Sequence, residues 1–234
     1  MTTPIDNPLV SVIIPVQNGE KFLVQAIESV LVQDYEPFEL LIILGNSADR
    51  TEEIARAYNE ARCILQEGQG IAGACNTGIH KAQGSLVAFL SHDDIWKPKK
   101  LSTQVGYMLE HPKLQYTTAR VKFFQEPGFD LPSGFRRELL EGDHVGHILE
   151  TLVAKRNVFK KVGYFDSKVK FSLDVDWFSR VKDMHIPTAV IPEILLLKRV
   201  HDSNVSIISK DNTYLLRSVM RSIQRKKIMK NRDE

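Results

Sequence analysis

Short, continuously apolar runs alternate with segments of helical period along the first 110 residues. Residues 9–14 (Leu-Val-Ser-Val-Ile-Ile) are rich in β-branched side chains and predict a buried strand, ended by Pro15. Across 21–33, Phe22, Ala26, Ile27, Val30 and Leu31 recur at the spacing of one helix face. Residues 38–44 predict a second strand. A helix over 51–59 follows, with Ser47 or Asp49 as its cap. Residues 63–66 predict a third strand, 68–73 a glycine-rich loop, and 74–82 a helix. A fourth strand spans 85–90, and a helix over 99–110 places Leu101, Val105, Met108 and Leu109 on one side. Strands apolar on both faces, alternating with helices, predict an α/β fold: a mostly parallel central sheet with helices on both faces. Such sheets bind ligands at the carboxyl ends of their strands. Three polar turns fall there, at 16–18, 45–47 and 91–94.

The second half is less regular. Residues 114–124 predict a strand. Residues 125–147 hold Pro127, Gly128, Pro132, Gly134 and Gly142 and form a long excursion, of the kind that is functional or mobile in compact domains. A strand over 152–155, a helical turn over 158–162 and a helix from Asp174 to about 184 follow. Residues 188–191 and 194–200 predict two more strands, and 212–229 a final helix. There is no repeat and no low-complexity linker, so one domain is expected over 1–210, with a basic C-terminal helix over 211–234.

Composition changes this picture in one place. The 31 Lys and Arg nearly balance the 29 Asp and Glu, which disfavours a general polyanion binder, and no nucleic-acid partner is expected. The balance is uneven, however: residues 211–234 carry +4, leaving −2 on the rest. The tail mixes its cations with Leu215, Leu216, Val219, Met220 and Ile223. Such a helix could pack on the body or on a second subunit, giving a homodimer. It could also rest on an anionic membrane surface. Cys63 and Cys75 exclude a disulfide framework and a cysteine-based zinc site. The first residues have no signal-peptide pattern and no run is long enough to span a bilayer, so a cytoplasmic protein is expected, with peripheral contact at the inner face of the membrane as an option.

Candidate chemistry gathers at the strand ends. Adjacent Asp93 and Asp94 can hold a hard divalent cation, or cap the following helix. Asp174 and Asp176 open a helix, where a carboxylate is favourable anyway; a base role needs Asp174 to face the cleft. His201 can ligate a metal and Arg199 can clamp phosphate, or both can sit in a surface turn. The loop 68–73 lacks the Lys-Ser/Thr ending of a P-loop and the GxGxxG order of a dinucleotide fold.

Five segments, in order, together resemble a family 2 glycosyltransferase of the GT-A fold, a Rossmann-like nucleotide-diphospho-sugar transferase fold. They are Ser11-Val12-Ile13-Ile14-Pro15-Val16-Gln17-Asn18; Gly70 through Asn76-Thr77-Gly78-Ile79; Phe89-Leu90-Ser91-His92-Asp93-Asp94; Gly163-Tyr164-Phe165-Asp166 with Leu173-Asp174-Val175-Asp176-Trp177; and Lys198-Arg199-Val200-His201 through Asn204-Val205-Ser206. The resemblance covers roughly 9–206. It implies transfer of a sugar from a nucleotide-diphosphate sugar to an acceptor hydroxyl with inversion, dependent on Mn²⁺ or Mg²⁺, in cell-surface polysaccharide, lipopolysaccharide or other glycoconjugate synthesis. By the same resemblance Asp93, Asp94 and His201 would hold the metal, and Asp174 would be the general base. Pro15, Val16, Gln17, Asn18, Asn46, Ser47, Asp49, Asn76, Ser91, His92 and Arg199 would line the donor site. A glycan or lipid-linked acceptor would meet the excursion 125–147, whose aromatic and basic side chains suit a sugar phosphate.

The chain departs from the family pattern three times. Leu44-Gly45-Asn46-Ser47-Ala48-Asp49 lacks the acid that contacts the base of the nucleotide, so a UDP-sugar is the donor by default. Ser91 replaces the first acid of the metal segment. Leu173 replaces the glutamate before Asp174, and with it a like charge that would raise Asp174. These departures motivate the alternative, a catalytically degenerate sugar-nucleotide-binding protein on the same fold.

Overall fold

A computed structural model describes residues 7–169, 173–202, 204 and 222. The parallel half is as the apolar runs predict. Strands β1 (Val10–Val16), β2 (Phe38–Leu44), β3 (Ala61–Leu65) and β4 (Leu86–Phe89) pair in the order β3-β2-β1-β4, all parallel. Helices α1 (Leu23–Leu31), α2 (Thr51–Arg56) and α3 (Gly70–Lys81) cross between them. Side chains alternate between two cores, one on each face. Val12, Ile14, Leu40 and Ile42 pack with α1, while Ile13, Leu41 and Ile43 pack with α3.

Pro15 does not end β1. Ile13 O accepts from Leu90 N on the β4 side and Val16 O accepts from Gly45 N on the β2 side. Pro15 faces the β4 side beyond the last β1–β4 pair, Ile13 with Phe89, so its missing N–H costs no ladder bond. The glycine-rich stretch is partly helical, since α3 already begins at Gly70. A Cβ at Gly73 would lie 2.8 Å from the Gly68 carbonyl carbon, so the helix can start this close to its entry loop only with glycine there.

The second half extends the sheet with mixed pairing. In chain order come β5 (Ile95–Trp96), α4 (Lys100–Glu110), β6 (Tyr116–Gln125), β7 (His144–Val145), β8 (Val153–Lys155), α5 (Asn157–Val162), α6 (Leu173–Asp183) and β9 (Thr188–Val200). The full order is β3-β2-β1-β4-β8-β6-β9-β5, with β7 on β6. Strand β8 is antiparallel to both neighbours, and β6 and β9 are parallel. The two strands expected at 188–191 and 194–200 are the single strand β9, whose register with β6 shifts between Ala119 and Val121.

This order forces the sheet to curl. Strand β5 begins six residues after β4 ends, yet lies four places away. Four flat strand spacings would be about 19 Å. The bridge 90–94 would have to run nearly straight to cover that, at roughly 3.3–3.6 Å per residue. Instead it turns, with Asp94 N bonded to Ser91 O at 3.2 Å. The sheet therefore bends until the end of β4 meets the end of β9. The excursion 125–147 folds back on β6 through β7 and carries a 3-10 turn at Arg137–Leu140. The C-terminal helix expected over 211–234 lies outside the described residues apart from Ser222, whose Oγ donates to Asp183 Oδ1 at 2.8 Å.

Candidate active site at the carboxyl rim of the sheet

The curl brings the turn 91–94 against the end of β9. Asp93 Oδ2 lies 3.1 Å from His201 Nε2 and accepts from Asn204 Nδ2 at 3.1 Å. Burial works against its charge, but the His201 contact and the neighbouring His92 and Lys198 outweigh that and hold Asp93 well below the usual carboxylate range. Burial lowers His92. Its ring meets the turn after β1: a Cβ at Gly19 would lie 2.7 Å from His92 Cδ2. Only glycine lets the first and third polar turns approach this closely.

Asp94 is placed differently from Asp93. It is 1% exposed, and both its oxygens are engaged. Oδ1 accepts from Arg199 N at 2.9 Å and Oδ2 pairs with Lys198 Nζ at 2.7 Å. Burial, Lys198's pull aside, pushes Asp94 up, and Asp93 and Glu150 add to this. Burial likewise disfavours the Lys198 cation, but Asp94, Glu150 and Asp93 hold it protonated well above the usual lysine range. We take the pair as ionised, because the ammonium has two carboxylate partners and a backbone N–H serves the other Asp94 oxygen. Asp94 thus joins two chain segments, and the expectation that it is a metal ligand has no free oxygen to rest on.

Arg199 also departs from expectation. It is 2% exposed. Its guanidinium donates to Asp93 O at 2.8 Å and pairs with Glu126 and Gln25, between the rings of Phe22 and Phe124. A guanidinium so enclosed fixes the Asp93 backbone and is not free to clamp a phosphate. Asn76 is likewise spent: its amide donates to Phe165 O at 2.9 Å and accepts from Phe165 N at 3.0 Å, clipping the loop after α5 to α3. Pro15 and Val16 are buried in the strand, so only their backbone reaches the rim.

Gln17, Asn18, Asn46, Ser47 and Asp49 do form one rim. Gln17 Nε2 donates to Asn46 O at 2.8 Å, Ser47 Oγ accepts from Asn18 N at 3.0 Å, and Asn18 Oδ1 accepts from Ala48 N at 2.8 Å. Asn18 holds this exchange in the left-handed region, at φ 52°. Asp49 accepts from Thr51 N at 3.1 Å and Glu20 N at 3.1 Å, which brings the turn before α2 onto the turn after β1.

Across the rim, Asp174 stands in the first turn of α6. Among the described residues, its Oδ1 accepts from Val175 N at 2.8 Å and no other residue's donor reaches Oδ2. Burial pushes Asp174 up to about 6, and the Glu150 charge adds to this. The loss of a glutamate at Leu173 therefore does not leave Asp174 unperturbed. Leu173 is buried in the second core, and Glu150 supplies a like charge from another element. Asp176 is not a partner in this; it pairs with Arg180, which caps the end of α5 through Val162, Gly163 and Tyr164 carbonyls.

Sequence reasoning missed Glu150, Lys198 and Glu126. Glu150 is a lone acid in irregular chain, with no pattern to mark it. Lys198 had a signal, being a cation at the end of an apolar strand. The excursion is no loose loop here, since Glu126 pairs with Arg199 and Phe129 packs edge-on to His201 at 6.1 Å.

Residues 11–171 match the family described as glycosyl transferase family 2. The chain belongs to that family. It is 31% identical over 222 residues to an uncharacterised glycosyltransferase of Rickettsia typhi, covering 86% of this chain and 66% of the relative. It is 38% identical over 110 residues to the UDP-Glc:alpha-D-GlcNAc-diphosphoundecaprenol beta-1,3-glucosyltransferase WfgD of Escherichia coli, covering 46% of this chain and 44% of the relative. The chain thus spans about two thirds or less of these relatives. The mannosyltransferase PcManGT of Pyrobaculum calidifontis, solved in complex with GDP-Man and Mn²⁺, superposes with a TM-score of 0.63 at 18% identity, covering 99% of this chain and 66% of that one. The fold is that of the GT-A glycosyltransferases.

Proposed function

We propose that this chain transfers a sugar from a nucleoside diphosphate sugar to an acceptor hydroxyl with inversion, and that Asp174 is the base. The observation that carries this reading is the open Asp174 oxygen, partly buried and pushed up to about 6, on the rim that also holds the Asp93–His201 pair. A base poised near neutral pH can take the acceptor proton as its oxygen bonds to the anomeric carbon. As that bond forms, the bond to the diphosphate breaks on the opposite face, and the diphosphate leaves with the electron pair.

The donor set fits a divalent cation. Asp93 Oδ2 and His201 Nε2 meet at a hydrogen-bond distance of 3.1 Å, so an imidazole that gave up its proton would set a nitrogen beside a carboxylate oxygen, donors that would suit a divalent cation. No group of three or more His, Cys, Asp or Glu side chains among the described residues could hold a metal by itself. Mg²⁺ and Mn²⁺ suit a site of this kind, with few protein ligands and the rest from phosphate and water. Such an ion would stabilise negative charge on the departing diphosphate. Asp93 and His201 would hold it, Asp94 and Arg199 would keep Asp93 in place, and Gln17, Asn18, Asn46, Ser47 and Asp49 would line the nucleoside side.

A UDP-sugar is the donor we favour. The Escherichia coli relative supports a lipid-linked acceptor, and with it work at the cytoplasmic face of a membrane, reached through the basic residues 211–234. No helix among the described residues is long and apolar enough to cross a membrane. The test is a panel of nucleotide sugars with Mn²⁺ and lipid-linked acceptors, with the anomeric configuration of the product read by NMR. Retention of configuration would sink the base assignment. Tight donor binding without transfer or hydrolysis across the panel would favour the degenerate binding protein instead.

A further inference from the structure

Glu150 lies in neither segment that carries the proposed metal ligands, yet it touches both. Its Oε1 accepts from Ser91 Oγ at 2.5 Å and from Lys198 Nζ at 3.3 Å. Ser91 is two residues before Asp93, and Lys198 is three before His201. Lys198 also reaches Asp94 at 2.7 Å, so one ammonium is clasped between two carboxylates from different elements.

The backbone at Glu150 is itself held from below. It sits in a 3-10 turn, Leu149–Thr151, that feeds β8. Trp96 Nε1 donates to Glu150 O at 2.9 Å. Gln104 Nε2 donates to Thr151 O at 3.0 Å, and the buried Lys100 Nζ donates to Gln104 Oε1 at 2.6 Å. Thr151 Oγ1 donates to Gly146 O at 2.6 Å. The backbone on which Glu150 sits is thus held, and its carboxylate adds one contact to each rim segment beside the direct bonds that Asp94 makes between them.

We propose that Glu150 is a positioning residue: its carboxylate ties the turn 91–94 to the end of β9 and so sets the placement of Asp93 against His201 for a divalent cation. This rests on the cation reading of that pair. The carboxylate is required because a glutamine would still meet Ser91 but would leave Lys198 with a single anionic partner, and charge-assisted hydrogen bonds are roughly twice as strong as neutral ones. The nearness of Ser91 also makes the carboxylate exchangeable. S91D would set two carboxylates against each other at a site where the oxygens are now 2.5 Å apart. Combined with E150Q, it would give the turn its own carboxylate, with an amide donor and Lys198 beside it.

The test titrates the full chain with Mn²⁺ alone and follows free Mn²⁺ by electron paramagnetic resonance, with the thermal midpoint as a folding control. Partners that hold metal ligands typically contribute about 10–100-fold to affinity, so E150Q is expected to bind Mn²⁺ that much more weakly at a nearly unchanged midpoint. S91D is expected to weaken binding similarly, and S91D with E150Q to return within about fivefold of the unaltered chain. Should E150Q fail to fold, S91A, which removes only the hydroxyl donor, is expected to weaken Mn²⁺ binding by roughly threefold to tenfold. Binding by E150Q within about twofold of the unaltered chain, or a double variant no better than E150Q, would overturn the inference. If the unaltered chain bound no Mn²⁺, the cation reading itself would fall, and this inference with it.

Discussion

Asp174→Asn separates what this residue does for activity from what it does to stability. The carboxyl is pushed from its ordinary 3.8 up to about 6, mainly by burial. A base must be ionised, so kcat/KM should fall as pH drops through 6: about nine tenths of Asp174 is ionised at pH 7 and about one tenth at pH 5. The stability sign is the opposite. A carboxyl with a raised folded value binds its proton more tightly folded than unfolded, so folding is favoured below about 4 and that advantage is lost as pH rises through 6. Two units correspond to about 2.7 kcal/mol, which solvent access at this rim reduces to roughly 1–2 kcal/mol. The neutral amide of D174N escapes this cost. D174N is therefore expected to lose about 10²–10⁴-fold in kcat. It should also gain roughly 1–2 kcal/mol at pH 7.5, a rise of about 2–8 °C in Tm, and gain nothing at pH 4. Transfer assays across pH 5–8 and thermal unfolding at the two pH values read both quantities. A variant that kept more than about a tenth of its activity, or that was less stable at pH 7.5, would refute the reasoning.

Three further outcomes follow from other parts of the site. D93N removes the charge held against His201; Mn²⁺ affinity is expected to fall at least about 100-fold by the same titration, and chelators to abolish transfer. R199K leaves Glu126 and Gln25 without the planar fork they face, at a position 2% exposed, so it should lower stability by about 2–4 kcal/mol in urea unfolding. Lys100 is fully buried, and burial pushes it well below the usual lysine range, so the unfolded chain binds the extra proton. Folding stability should then rise with pH through the interval below the unfolded value near 10.4, and K100M should flatten that rise in unfolding titrations from pH 7 to 10.

The N-terminal sheet was legible because each strand there is a local object. Apart from Glu39, residues 38–44 are apolar on both faces, and the strand Phe38–Leu44 matches them residue for residue. The rim was legible for a related reason: polar turns that end apolar strands of a parallel sheet must lie on one side. Hydrogen bonds at sequence separations of 29–30 tie Gln17 and Asn18 to Asn46, Ser47 and Ala48 there. Boundaries moved where tertiary packing outweighed local preference, as at Pro15, which no neighbouring strand needs as a donor, and at Gly70, where α3 starts inside the glycine run.

By itself, then, the sequence determined the alternating architecture and which short segments carry the chemistry, since strand period, helix period and polar turns are short-range properties. Only the tertiary structure decided what each polar side chain is free to do. Asp93 and Asp94 are neighbours in the chain, yet the curl of the sheet turns one toward His201 and ties both oxygens of the other to β9. Arg199, the obvious phosphate clamp, is enclosed by Phe22, Phe124 and Glu126, and Glu150, unmarked in the sequence, reaches 48 residues along the chain to Lys198. Burial, partner and pKa depend on what folding brings within a few ångströms, and that is set by the closure of the whole sheet.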